Sequence, residues 1–343
     1  ADRIVRGQIL SRDGRVLAET RTGEDGQETR VYPYGSLFAH VIGYSDHGKA
    51  GLESVANFDL LTSNAFFLIK MRNEFQDQKH RGDSVVTTLD LKLQQAASDA
   101  LGYLKGAVVV IEPSTGKILA MVSKPDFDPN LVESNWEALN SDENSVLLNR
   151  ATQGQYAPGS TFKVITALEY MREDLAGYPL YSYNCGGAIE QDGTTIHCFG
   201  GKVHGQVSFA DSLAYSCNTS FCNIGLMLDV GHFQTTAKEL LFDSKLPSVL
   251  PYSDSKFMLD VTDGSAAKMM TAMGQGQTQV SPYHMALITC AIANGGVLMK
   301  PYLIDSVTNV SGQEVKKTLP EEYKTLMAIE EAAELKNYMA GVV

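Results

Sequence analysis

Apolar positions along this 343-residue chain fall into a few sharp patterns separated by turn-rich stretches. Val85-Val86-Thr87-Thr88-Leu89 is a β-branched run that predicts a strand. After it, Leu91, Leu93, Ala96, Ala97, Ala100, Leu101 and Leu104 recur at helical spacing, with Asp90 placed as the N-cap. Two apolar arms, Val108-Val109-Val110-Ile111 and Ile118-Leu119-Ala120-Met121-Val122, flank a Pro-, Ser- and Gly-bearing segment at positions 112–117 and predict a hairpin. Arms that are continuously apolar, not alternating, predict a sheet covered on both faces by helices. Ser281-Pro282 opens, and Asn294-Gly295-Gly296 closes, a further helix.

The first eighty residues are less regular. Positions 7–18 hold two apolar arms about Asp13-Gly14, a hairpin signal, and positions 24–28 read as a surface loop. Between Leu52 and Met71 the apolar residues recur too irregularly to choose helix or strand. Arg81-Gly82-Asp83 then punctuates the chain, which divides it into a small N-terminal module (1–82) and a large mixed α/β (α+β) domain (83–343).

Charge narrows the function. Against 40 Asp+Glu there are 28 Lys+Arg, a net charge of −12, and no basic run, which excludes a nucleic-acid partner held through its phosphates. No stretch of about 18 consecutive apolar residues occurs and Ala1-Asp2-Arg3 does not open a signal peptide, which leaves a membrane anchor upstream of residue 1 open. Phosphate-loop, dinucleotide, zincin and Gly-x-Ser-x-Gly motifs are absent.

The remaining chemistry centres on Ala157-Pro158-Gly159-Ser160-Thr161-Phe162-Lys163. Pro-Gly forces a turn, and Ser160 then opens a helix whose apolar residues surround most of its circumference, so the helix is expected to be buried. A spacing of three puts Ser160 and Lys163 on one face. The serine needs a base, no histidine is local, and a lysine serves only when neutral. That requires a fall from about 10.4 to near neutrality, or about 4 kcal/mol, from desolvation and nearby positive charge. A helix N-terminus contributes to both and offers N–H groups to an oxyanion. Ser-x-x-Lys also occurs at Ser114/Lys117, Ser253/Lys256 and Ser265/Lys268, but only Ser160/Lys163 sits at a turn-to-helix junction able to bury its lysine. Ser216-Cys217-Asn218, on a loop between helical stretches, adds a proton-relaying hydroxyl and an amide aimed at the same cleft. Ser182-Tyr183-Asn184 repeats that pattern.

Taken together these segments resemble the transpeptidase part of a class B penicillin-binding protein. Arg6-Gly7-Gln8-Ile9 with Arg12 to Ala18 resembles the family's segment outside its membrane anchor, with Ser11 where Asp is usual. Gly106 to Pro113 with Thr115 to Met121 resembles the first core hairpin, and Pro125 to Asn130 the segment after it. Asn149-Arg150-Ala151 through Lys163 resembles the nucleophile motif, and Met273-Gly274-Gln275-Gly276 with Ser281-Pro282 and Ala293 to Gly296 the approach to the third motif. The resemblance implies that Ser160 is the acylated nucleophile, Lys163 its base, Ser216 the relay and Asn218 a ligand of the substrate amide, with Thr161 and Gly276 as further substrate contacts. It implies D-Ala-D-Ala stem peptides of peptidoglycan as substrate, β-lactams as inhibitors, and no required cofactor. It further implies a place at the extracytoplasmic face of the membrane beside a glycan polymerase, in cell-wall and cell-shape work. The family's Lys-Thr/Ser-Gly strand is missing: Lys317-Thr318-Leu319 and Lys324-Thr325-Leu326 lack the glycine, and Leu335 to Val343 resembles the helix just before that strand, so a terminal piece is expected to follow.

Outside these motifs, Cys185 and Cys198 bracket a short predicted hairpin. They are expected as free thiols or as a disulfide contributing about 3 kcal/mol, with a structural zinc held by Cys185, Cys198 and His204, plus Asp192 or His197, as the alternative. Cys217 and Cys222 are not expected to bridge. His40, His47, His80, His232 and His284 read as surface or satisfied core residues, Trp136 as a packing residue, and Glu321-Glu322 with Glu330-Glu331 as a solvated helix face.

Overall fold

The computed structural model of the protein describes residues 4–66, 69–71, 73 and 79–342; residues 67 and 68 of the irregular stretch and the terminal Val343 lie outside these. The chain divides into two compact units, one of Ala1–Gly154, Pro247–Tyr252 and Met299–Glu322, the other of Gln155–Leu246, Ser253–Leu298 and Tyr323–Val343.

The first unit is built on a six-stranded mixed sheet in the order Glu314–Lys317, Ile304–Thr308, Ser84–Thr87, Ile9–Leu10, Val16–Thr22, Glu28–Val31. The expected hairpin about Asp13-Gly14 forms, with Ile9 opposite Ala18, and Gly14 takes the left-handed turn conformation at φ 79°. Ile9–Leu10 then pairs in parallel with Ser84–Thr87. Gly7 is required for this approach: a Cβ there would lie 1.8 Å from the Asp83 carbonyl oxygen. Glu53 is fully buried and paired with Arg6 at 2.6 Å and Arg30 at 2.7 Å. Removing the Glu53 carboxylate would leave two largely buried guanidiniums without their shared anion, a loss of about 3–5 kcal/mol.

Helix Leu91–Leu101 starts where the pattern placed it, with the Asp90 carboxylate accepting from the Lys92 and Leu93 N–H groups. It packs on the hairpin Gly106–Ile111 and Ile118–Lys124, where Val108 faces Val122. Buried Gln94 reaches across to the Met121 backbone, donating to its carbonyl at 2.8 Å and accepting from its N–H at 2.9 Å. The second arm is largely buried, but every residue of the first is only half-buried, so the expected cover on both faces is not met there. Trp136 packs in a cluster with Ala39, Phe127 and Val132 and stacks on His47 at 5.0 Å.

The second unit is mainly helical. Gly159–Phe162 forms one tight turn that runs into helix Lys163–Glu173, buried on most sides as its composition predicts. Behind it Phe162 lies in an aromatic core with Phe233, Phe242 and Phe257, and burying a side chain of that size stabilises by about 2–3 kcal/mol. Helix Pro282–Ala293 has the expected Ser281 cap, whose hydroxyl accepts from the His284 N–H. His284 and, in the first unit, His40 are core residues whose ring nitrogens meet the Leu240 and Val146 carbonyls. The acidic groups depart from expectation. Glu322 opens a strand, Glu322–Thr325, and only Glu330 and Glu331 are helical, where Glu331 binds Arg172 through two hydrogen bonds. A strong cation partner converts that position from solvated face to tether.

Candidate active site

Glycines position the nucleophile turn. Gly274, at φ 85°, accepts from the Gly159 N–H at 2.8 Å, and a Cβ on Gly274 would fall 1.8 Å from the Gly159 oxygen. The Met273-Gly274-Gln275-Gly276 stretch is thus a backbone clamp on the turn that carries Ser160. Thr161 donates its hydroxyl to the Pro158 carbonyl at 2.7 Å and tightens the same turn. Helix Phe209–Ala214, opened by a capping box of Ser208 and Asp211, ends just before Tyr215-Ser216-Cys217, and Asn218 begins helix Asn218–Met227. Gly225 of that helix has no room for a Cβ against Ala272, which fixes it closely on helix Ser265–Ala272.

These elements bring Ser160, Lys163, Ser216 and Asn218 together. Lys163 is fully buried, while Ser160 at its side is exposed. The Lys163 Nζ lies 3.2 Å from Ser160 Oγ, 3.0 Å from Ser216 Oγ, 2.8 Å from the Ser216 carbonyl and 2.7 Å from Asn218 Oδ1. Ser216 Oγ donates to Ser160 Oγ at 2.9 Å, so amine and both hydroxyls close a triangle. Burial lowers the Lys163 ammonium to about 8, against opposing influence from the thiols of Cys217, Cys198 and Cys222. The neighbouring positive charge invoked from sequence is not among the causes; desolvation accounts for the fall. At that value roughly a tenth of the amine is neutral at pH 7, enough to take a proton from a serine one hydrogen bond away. Asn218 also donates to the His197 carbonyl at 3.1 Å, so both ends of its amide are held within the protein.

Two cavities share Ser160. One, of about 430 Å³, is lined by Val164, Leu213, Ile288 and Met339; the other, of about 460 Å³, by Phe199, Lys202, Tyr215, Asn218 and Gln275. Gly276 lines neither and packs instead against Thr271, whereas Gln275, which the sequence reading did not single out, lines the second cavity together with Ser160. Ser182-Tyr183-Asn184 lies in strand Ser182–Cys185, paired with Gly205–Ser208, and not at the lysine.

Residues 106–343 match the penicillin binding protein transpeptidase domain, and residues 6–85 the penicillin binding protein A dimerisation domain. The peptidoglycan D,D-transpeptidase PbpA of Mycolicibacterium smegmatis is 33% identical over 98% of this chain and 72% of its own length. The D,D-transpeptidase MrdA of Escherichia coli is 27% identical over 87% of this chain and 54% of its own. The imipenem acyl-enzyme of penicillin-binding protein A from M. tuberculosis superposes with a TM-score of 0.89 at 32% identity, covering 99% of this chain and 82% of that one. The chain belongs to the penicillin-binding protein transpeptidase family. Both the class B assignment and the mixed α/β transpeptidase fold read from the sequence hold.

In this penicillin-binding protein the hairpin Ala188–Gln191 and Thr194–His197 forms about Asp192-Gly193 and carries Cys185 and Cys198 to one place. None of the five cysteines is disulfide-bonded, and the Cys185 and Cys198 sulfurs stand 3.7 Å apart, beyond a disulfide bond. His204 Nδ1 is 3.4 Å from Cys185 Sγ, and Cys217 Sγ is 3.8 Å from Cys198 Sγ. All four ligand atoms lie within 4.8 Å of one another. The fourth member is Cys217, in place of the Asp192 or His197 expected from sequence. Asp192 accepts from the Ser265 hydroxyl, and the His197 side chain is exposed. Burial drives Cys217 up, whereas at Cys185 the Thr219 hydroxyl and His204 overcome burial and lower the thiol.

Proposed function

We infer that this chain is a peptidoglycan D,D-transpeptidase, a serine acyltransferase that is also a target of β-lactams; the relatives carrying that name and the acyl-enzyme structures of a 32% identical protein support the reading. Ser160 Oγ attacks the carbonyl of the penultimate D-Ala, neutral Lys163 takes its proton, and the terminal D-Ala leaves as the ester forms. Ser216, bonded to both, relays the proton to the departing amine, and the amine of a second stem peptide then displaces Ser160. Asn218 and Thr161 border the cleft as substrate contacts, whereas Gly276, expected as a third, packs against Thr271 and lines neither cavity. The observation that carries this assignment is a fully buried amine 3.2 Å from an exposed serine hydroxyl.

Labelled penicillin tests it. An adduct on Ser160 that persists for many minutes is expected; release within seconds would instead favour a β-lactamase or carboxypeptidase on the same scaffold. A non-catalytic sensor would be favoured if cells carrying Ser160→Ala grew and kept their shape normally.

The remaining expectations accompany this reading. The division at 82/83 between a pedestal module and the transpeptidase domain stays part of this reading; the first family match ends at residue 85 and the second begins at 106. A peptidoglycan substrate supports a location at the extracytoplasmic face of the membrane, with an anchor and a neighbouring glycan polymerase as parts of the same proposal; no helix among the described residues is long and apolar enough to cross a membrane. Cys185, Cys198, His204 and Cys217 form a structural zinc site. Tetrahedral zinc with bonds of about 2.3 Å to sulfur and about 2.0 Å to nitrogen separates its ligands by roughly 3.5–3.8 Å, close to the 3.4, 3.7 and 3.8 Å of the His204–Cys185, Cys185–Cys198 and Cys198–Cys217 contacts.

A further inference from the structure

Helix Lys163–Glu173 carries a second group of ligating side chains at its other end. Glu169 and Glu173 are one turn apart on one face, and His232 comes from helix Val230–Glu239. Their ligand atoms lie within 4.8 Å of one another, at the wall of a cavity of about 810 Å³. Glu169 is 1% exposed, and its Oε2 is buried without a hydrogen-bond partner. Glu173 accepts from the Asp229 N–H through both oxygens, and His232 Nδ1 stands 3.6 Å from Glu173 Oε1. The nearest cation, Arg172, is committed elsewhere: to Glu331 at 2.7 and 3.0 Å, and to Glu239 and Thr236 at 2.8 Å. Burial raises the Glu169 carboxyl to about 7, so two carboxyls this close either share a proton or hold a cation between them, and the imidazole turned towards them adds a third ligand atom.

We propose that Glu169, Glu173 and His232 form a divalent-cation site of the mixed oxygen-and-imidazole class, suited to Mn²⁺ or Zn²⁺, that pins the end of the nucleophile helix to helix Val230–Glu239. The site is independent of the catalytic reading and shares no residue with the thiol cluster. Such donors accept Mn²⁺, which thiolates disfavour, so Mn²⁺ distinguishes the two sites.

The test is titration of the purified full chain with Mn²⁺, followed by loss of the free-ion electron paramagnetic resonance signal. Saturable binding of one Mn²⁺ per chain is expected, weakened roughly tenfold or more by His232→Ala, a change at an exposed side chain, and left intact by Cys185→Ser. Glu169→Gln, which keeps the shape of the buried side chain, should remove it, while labelled-penicillin acylation of His232→Ala stays at the parent rate. Absence of saturable binding up to millimolar Mn²⁺ would overturn the site and leave the carboxyls sharing a proton. Binding undiminished in His232→Ala would overturn it equally.

Discussion

The hydroxyl–amine cluster and the thiol cluster are neighbours of opposite character. In the first, the base is sealed and the nucleophile open: Lys163 has no solvent exposure and Ser160 is exposed. In the second, all three cysteines are sealed, at 0% for Cys185 and Cys217 and 3% for Cys198. One short segment feeds both, because extended backbone at Cys217 turns its sulfur away from the side to which Ser216 and Asn218 contribute. The difference shows what each task demands. A catalytic group must lose its charge yet keep a path to substrate, whereas a group that only holds the chain together gains from complete closure.

Breaking the first cluster should have the largest effect. Ser160→Ala is expected to abolish the covalent β-lactam adduct by intact-protein mass spectrometry, with thermal unfolding unchanged. Lys163→Met, which keeps the volume of the side chain, should slow acylation by about 10²–10⁴-fold, and Lys163→Arg should not restore it, because a guanidinium does not deprotonate. Either variant acylating at the parent rate would remove the lysine from the mechanism. Breaking the second cluster with Cys217→Ser should weaken zinc binding by roughly 10–100-fold in a chelator competition while slowing acylation less than Lys163→Met does. A larger loss of acylation than of zinc would show that the sulfur serves catalysis directly.

The pH dependence sharpens the contrast. Since Lys163 sits near 8, the second-order acylation rate should climb about tenfold per pH unit below that value and level off above it. The linked stability has a definite sign. A lysine lowered in the folded state binds fewer protons there than in the unfolded chain between about 8 and 10.5, so its contribution to stability grows with pH across that window. Urea unfolding at pH 8 and 10 of parent and Lys163→Met would reveal a difference in slope; equal slopes would contradict the buried amine. The smallest effect belongs to a site remote from both clusters in the chain: Asp90→Ala should cost about 1 kcal/mol in urea unfolding and leave the acylation rate unchanged.

Legibility in the sequence followed distance along the chain. Ser160 with Lys163, and Ser216 with Asn218, are local pairs whose spacing and helix-start signals declare themselves, as do the Asp90 and Ser281 caps. The place of Cys217 in the thiol cluster is not legible in the sequence, because strand pairing, not spacing, carries Cys185 and Cys198 to it. Glu331 reads as a solvated side chain because its partner, Arg172, lies 159 positions away. Gln275 was hidden beside glycines that attracted the motif reading, though the glycine clamp itself places Gln275 at the cleft. The half-exposed arm Gly106–Ile111 had an apolar composition that says how much cover a strand prefers, not how much it receives.

Ser216 has its backbone at φ 52°, in the left-handed region. Glycine and asparagine settle readily in that conformation but bring no hydroxyl, whereas threonine brings the hydroxyl and resists the conformation through its branched Cβ. Position 216 thus asks for two things that few residues combine, a hydroxyl and ease in a left-handed backbone, which leaves serine with little competition there.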